Sequence, residues 1–131
     1  MKRIALFILI GFTASCFSGE NLRTVENLKI EKYMGEWHQI AAIPAWFQKK
    51  CVKETKAYYS QDEKGIIVKN SCLKKDGSKS EAFGRARLNK KFGIPSKLEV
   101  TFVQPFGLPL WWIFSGDYWV INLDEDYTYS V

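Results

Sequence analysis

Hydrophobic and polar residues change their spacing three times along this chain. Ile4 to Phe12 is an apolar run of nine residues, one of them Gly11. Residues 28–34, LKIEKYM, have the spacing of a single helical turn. From Gly35 onward the pattern is that of strands. Residues 36–43 carry Trp37, Ile40 and Ile43 and are closed by Pro44; 51–60 mix β-formers with charges in near alternation. Residues 66–73 form an apolar return segment, and 81–89 carry the small residues Ala82, Gly84 and Ala86. In 97–103 Leu98, Val100 and Phe102 share one face; 117–124 is a further strand, and 126–131 begins another. The connections QDEKG (61–65), KKDGS (74–78) and NKKFGIPS (89–96) are rich in turn formers. Six strands and the start of a seventh, joined by short turns and without a long helix, predict an antiparallel meander closed as a barrel or sandwich.

The 131 residues suffice for one domain. The first apolar run is too short to span a bilayer, which takes about 20 residues. Preceded by Lys2 and Arg3 and followed by Thr13-Ala14-Ser15, it predicts a secretory signal peptide over residues 1–15, outside the fold. Small residues ending in Cys16 are similar to a bacterial lipobox, in which the cysteine becomes the lipidated, palmitate-bearing N-terminus that anchors the protein to a membrane. Thr13 stands where that motif has leucine, so ordinary cleavage near Ser15 is the alternative. With Phe17 rather than aspartate next, the resemblance to lipoproteins implies the periplasmic face of the outer membrane, or otherwise the periplasm. Residues 16–26 are then a tether and 27–131 the domain.

Charge adds little. The net charge is +5; without residues 1–15 the 19 basic residues become 17 against 14 acidic ones, about +3. The basic residues are scattered over 49–56, 74–79 and 85–97 rather than gathered on one face, which argues against nucleic acid as a partner. There is no CxxC, and His38 is the only histidine, so no metal site and no cofactor are expected. Neither a Gly-x-Ser-x-Gly elbow nor a phosphate loop is present, and Glu125-Asp126 sits in turn-like sequence; the chain does not read as an enzyme. Cys51 and Cys72 flank the first hairpin. If its two strands pair about a centre between Gln61 and Asp62, these cysteines fall opposite one another and form a disulfide.

Gly35-x-Trp37 at the start of the first strand resembles the first signature of the lipocalins. The stretch Tyr33-Met34-Gly35-Glu36-Trp37-His38-Gln39-Ile40-Ala41 is similar to that of the bacterial branch, with His38 in place of the usual tyrosine. Thr55-x-Ala57-x-Tyr59, Val68-x-Asn70-x-Cys72, Gly84-x-Ala86, Pro105-Phe106, Gly116-Asp117-Tyr118-Trp119-Val120-Ile121, Leu123-Asp124 and Asp126-Tyr127 resemble later segments of the family in the same order. The resemblance implies an up-and-down β-barrel that binds a small hydrophobic ligand of the fatty acid or lysophospholipid class in the bacterial envelope. A ligand-independent structural or stress-response envelope lipoprotein is the other reading, a non-functional truncated lipocalin a third; oligomeric state is not implied.

Strand alternation and the resemblance give the inward, ligand-binding set Ala57, Tyr59, Ile66, Val68, Asn70, Gly84, Ala86, Leu98, Val100, Phe102, Tyr118 and Val120. The alternative is that these residues form a filled core. Asn70 is the polar member, able to orient a head group or satisfy a neighbouring hydroxyl. Trp46 and Phe47 fall in the loop that family geometry places over the cavity mouth. Trp37 is expected to plug the closed end of the barrel, with Gly35 letting the chain pass close beneath it. In the family a C-terminal arginine stacks on this tryptophan. Measured against the family, the chain stops at Val131 before the rest of strand seven, strand eight with that arginine, and a helix. The expectation is therefore a truncated barrel with a gap beside the first strand and an underpacked Trp37.

Overall fold

The computed structural model describes residues 3–7, 22–42, 50–102 and 115–131. Its strands are β1 (Ile4–Phe7), β2 (Gly35–Ala42), β3 (Cys51–Asp62), β4 (Gly65–Lys74), β5 (Lys79–Leu88), β6 (Lys97–Thr101), β7 (Gly116–Trp119) and β8 (Tyr129–Ser130); the single-turn helix α1 (Ile30–Tyr33) leads into β2. From β3 to β7 each strand lies antiparallel to its predecessor, so β2 to β7 form a six-stranded meander curved into a half-barrel. The fold is the all-β one that the resemblance implies.

Alternation explains which face is inside. On β3, Ala57 and Tyr59 are buried while Tyr58 between them is half exposed; on β4, Ile66, Val68 and Cys72 are buried. The register carries this face across the sheet. Tyr59 pairs with Val68 and Val68 with Gly84; Ala86 pairs with Val100, and Leu98 with Tyr118. Leu28, Tyr33, Trp37 and Val120 complete the core. The opposite face carries ion pairs, among them Arg85 with both oxygens of Asp62 (3.0 and 2.6 Å) and Arg87 with Glu99 (2.9 Å). Such exposed pairs add little stability each.

Cys51 and Cys72 form the expected disulfide, with Cα atoms 5.5 Å apart. The register behind it differs from the sequence expectation. Asp62 pairs with Gly65, so the hairpin turns at Glu63-Lys64, two residues later than predicted. There the Asp62 carboxylate accepts a hydrogen bond from the Lys64 amide at 2.9 Å. A strictly regular ladder about that centre would carry Cys51 well away from Cys72. Irregularities between Cys51 and Lys56 absorb residues, set Cys51 beside Lys74 and bring its sulfur to Cys72.

The first residues, expected to be removed, lie against the sheet in the structure of the whole chain. Sequence pattern sets residues 1–15 outside the fold and leaves a gap beside the first barrel strand. In the structure β1 fills that place: it pairs in parallel with β2 (Ile4 with His38, Phe7 with Ala42) and with β8 (Ile4 with Tyr129, Ala5 with Ser130). Leu123 bridges to Ser130, and Val131 exchanges backbone hydrogen bonds with Ile121 and Asn122, which ties β8 to the chain that leaves β7. β1 thereby supplies extended backbone that pairs with the N–H and C=O groups of β2.

Candidate ligand-binding site

The two ends of the concave face differ. At the base Trp37 has no exposed surface, and its indole N–H donates to the Tyr33 carbonyl at 2.8 Å. The Tyr33 ring stacks on it with centroids 4.6 Å apart. Gly35, at φ +106°, admits the turn before β2 that a side chain would strain. Trp37 is not underpacked as expected. The guanidinium of Arg3 lies 5.7 Å from the centre of its ring and donates to the Met34 carbonyl at 2.5 Å. A cation from the N-terminal end of this chain thus occupies the place that the resemblance gives to a C-terminal one.

Above Trp37 three phenols share one hydrogen-bond network. The Tyr33 hydroxyl lies 2.9 Å from those of Tyr118 and Ser130, and the Tyr59 hydroxyl donates to Tyr118 at 3.3 Å. Burial, which disfavours the phenolate, pushes all three tyrosines above their ordinary pKa; the neighbouring phenols add to it. They remain neutral donors and acceptors at physiological pH. The cavity they border, lined also by Leu28, Ala86 and Leu98, leaves only about 10 Å³ for the centre of a water molecule. That is room for roughly one water. The base is a filled core.

Toward the other end the same face opens. Ala82 pairs with Asn70 and is exposed, and Phe102 is 41% exposed rather than buried like the inward residues below it. Gly84 is required by close approach: a Cβ there would lie 2.5 Å from the Thr101 carbonyl oxygen and 2.7 Å from the Phe102 ring. The missing side chain lets Phe102 lie across β5. The Asn70 Oδ1 is buried and has no hydrogen-bond partner among the described residues, an uncommon condition that leaves an acceptor available to a ligand or water.

Of the inward set, Ala57, Tyr59, Ile66, Val68, Ala86, Leu98 and Val120 belong to the core cluster, and Val100 and Tyr118 pack against it. Gly84 is buried, Asn70 is intermediate, and Phe102 stands at the opening. Cys16, Trp46, Phe47 and Pro105-Phe106 lie outside the described residues. No cluster of three or more metal-ligating side chains occurs among the described residues. Sequence reasoning missed the hydroxyl roles of Tyr33 and Ser130. It also missed Lys97, which is buried with its ammonium 4.1 Å from the Phe92 ring centre and 4.2 Å from that of Trp119. Alternation on β6 sets Lys97 opposite the core face, and nothing in its local sequence marks it as enclosed.

The model of the lipocalin-like domain matches residues 28–131, and the chain belongs to the lipocalin family. It is similar to temperature-induced lipocalin-1 of Arabidopsis thaliana, 32% identical over 112 residues that cover 86% of this chain and 60% of the plant protein. It is also 32% identical over 121 residues to the lipocalin R877 of Acanthamoeba polyphaga mimivirus, covering 88% of this chain and 66% of the viral one. Mouse apolipoprotein D is 38% identical over 95 residues, 71% of this chain and 48% of the relative. The chain thus spans about half to two thirds of the length of these curated relatives. Lipocalins are in general binding and transport proteins for small hydrophobic molecules rather than enzymes.

Proposed function

We propose that this protein binds and carries a small hydrophobic ligand, of the fatty acid or lysophospholipid class, at the open end of its concave face. One observation carries the reading: the inward side chains are buried and close-packed at the base, whereas Ala82 and Phe102 on the same face stay exposed and the Asn70 Oδ1 lacks a partner among the described residues. An acyl chain would lie against Phe102 and across Gly84, and a donor on the ligand would meet Asn70. The setting we propose is the bacterial envelope, with residues 1–15 removed and Cys16 lipidated at the outer membrane; the order of apolar, small and cysteine residues supports it. A protein fractionating as soluble and unlipidated would remove the anchor and leave the binding reading in place.

The direct test is titration with a fluorescent fatty acid. Ala82→Trp fills the opening without touching the packed base and should weaken binding at least tenfold while leaving thermal unfolding unchanged. Unaltered affinity would put the ligand elsewhere. The second reading, an envelope protein whose barrel works without a ligand, is favoured by the filled base. Native mass spectrometry of purified protein separates the two, since co-purified lipid supports carriage.

A further inference from the structure

The start of β3 does not follow the ladder that the rest of the strand sets. From Asp62 back to Lys56 the pairing with β4 is regular and ends with Lys56 opposite Ser71. Lys53 then pairs with Leu73 and Cys51 with Lys74, so β3 takes in one extra residue at each of two steps. Between Lys56 and Lys53 two residues of β3, Glu54 and Thr55, face one of β4, Cys72; this is a β-bulge. Glu54 stands in it at φ +53°, a left-handed conformation that a residue with a side chain adopts at a cost.

A covalent bond offsets that cost: the disulfide ties Cys51 to Cys72 with their Cα atoms 5.5 Å apart. In a regular ladder Thr55 alone would stand opposite Cys72, and Cys51 would lie beyond Lys74, out of reach of Cys72. Lys53 would then face Lys74, a pair of like charges that gives the freed end no firm hold. The bridge lies at the rim of the ligand-binding opening. Cys72 is buried two residues along β4 from Asn70, and it pairs with Ser80, two residues along β5 from Ala82.

We propose that the Cys51–Cys72 disulfide is a redox catch on the ligand-binding opening. Oxidised, it holds the bulged start of β3 against the rim beside Asn70; reduced, it lets residues 51–55 leave that register, and the ligand is released. The proposal rests on the ligand-binding reading and adds its regulation. The reductant is a dithiol. One of its thiolates attacks the Sγ of Cys51, the less buried of the two cysteines; the disulfide bond breaks, and Cys72 leaves as a thiolate and takes up a proton. The second thiolate of the reductant then attacks the reductant's own sulfur in the mixed disulfide, and Cys51 leaves in the same way. Two electrons and two protons pass to the protein, and the dithiol closes to a disulfide.

The test uses the full chain with Cys16→Ser, so that only Cys51 and Cys72 can bridge, and a fluorescent fatty acid. Dithiothreitol should weaken binding about tenfold at a temperature where circular dichroism shows the reduced chain folded, and reoxidation should restore it. On reduction, amide hydrogen exchange should rise over residues 51–56 and not over 57–62. Glu54→Gly removes the side chain that makes the bulge costly, so this variant should bind within about twofold in its two redox states. Cys51→Ala with Thr55→Cys moves the bridge to positions 55 and 72; the two strands stay clamped while the start of β3 is freed. Oxidised, that chain should bind about as weakly as the reduced one. It separates release of β3 from loss of stability, and it serves if the reduced chain does not fold. Equal affinity of the oxidised and reduced chains overturns the proposal and leaves the ligand-binding reading in place. So does full affinity in the chain with the moved bridge, failure of that bridge to form, unchanged exchange over 51–56, or a Glu54→Gly chain that loses as much affinity on reduction as its parent. Absence of saturable binding to the oxidised chain refutes the ligand-binding reading itself, and this proposal with it.

Discussion

Tyr33→Phe removes one oxygen atom from the base of the barrel and nothing else. The ring still stacks on Trp37 and the backbone carbonyl still receives the indole N–H. What is lost is the hydroxyl that lies 2.9 Å from both Tyr118 and Ser130, on a residue only 3% exposed. Two buried hydroxyls then lose a partner, and water has little room to replace it. Tyr118 keeps the Tyr59 hydroxyl, and leaving the buried Ser130 hydroxyl without this partner costs roughly 1–3 kcal/mol. At about 4 °C per kcal/mol for a domain of this size, the melting midpoint should fall by several degrees. Ser130→Ala provides the second arm of a double-mutant cycle. If the two hydroxyls act as one network, the double variant should be less destabilised than the sum of the singles by about 0.5–3 kcal/mol. Tyr58→Phe, at a half-exposed position on the opposite face, is the control and should change stability by no more than about 0.5 kcal/mol. Urea unfolding of all four variants measures each value. A Tyr33→Phe chain as stable as the control, with additive partners, would refute the account of the base as a hydrogen-bonded network.

Three further outcomes follow from the same geometry. Tyr33, Tyr59 and Tyr118 have folded pKa values raised above the ordinary 10, so their contribution is fully present below about pH 10 and is lost as pH rises beyond it, when the unfolded chain ionises and the folded one resists; in alkaline titration, replacing any one of the three with phenylalanine should leave the tyrosinate signal of the folded chain unchanged, and a loss of that signal would contradict this. Gly84→Ala forces a Cβ to within 2.5 Å of the Thr101 carbonyl and should cost roughly 1–3 kcal/mol by shifting β5 away from β6; a variant of wild-type stability would mean that the two strands separate freely there. Cys51→Ala combined with Cys72→Ala should lower stability by about 3 kcal/mol through the loop of separation 21 that the disulfide closes, read from urea unfolding in oxidising buffer.

What the chain disclosed through its sequence followed from local rules. The strands of the meander begin and end within a few residues of their predicted bounds because period-two alternation and turn formers act over short distances. Ala57, Tyr59, Ile66 and Val68 were legible as inward for the same reason. The hairpin centre was misplaced because QDEKG holds turn-forming residues throughout, and only pairing across the sheet decides which two of them turn. Long-range partners were not legible at all. Arg3 meets Trp37 from 34 positions away, and Tyr33 meets Ser130 across 97. No periodicity encodes such meetings. They depend on where the barrel brings its ends together.

The division of the concave face into a packed base and an open end has a consequence for how variants should behave. A ligand entering the base would have to displace Tyr33, Tyr59 or Tyr118, break their hydroxyl contacts and separate close-packed side chains, each step costing on the order of 1 kcal/mol or more. A ligand lying against Phe102 and Ala82 meets exposed side chains, and it gives Asn70 a partner that the described residues do not supply. Changes at the base should therefore act on stability first and on affinity only through unfolding, whereas changes at Ala82 or Asn70 should act on affinity with the fold intact. Asn70→Leu sharpens the distinction. It removes a buried acceptor that has no partner among the described residues, so the protein should become no less stable, while a ligand whose donor meets that oxygen should lose at least a few-fold in affinity and one held by apolar contact alone should lose nothing. Paired measurements of melting and of fluorescent ligand binding on that variant decide which contact holds the ligand, and a loss of stability without a change in affinity would show that Asn70 serves the fold instead.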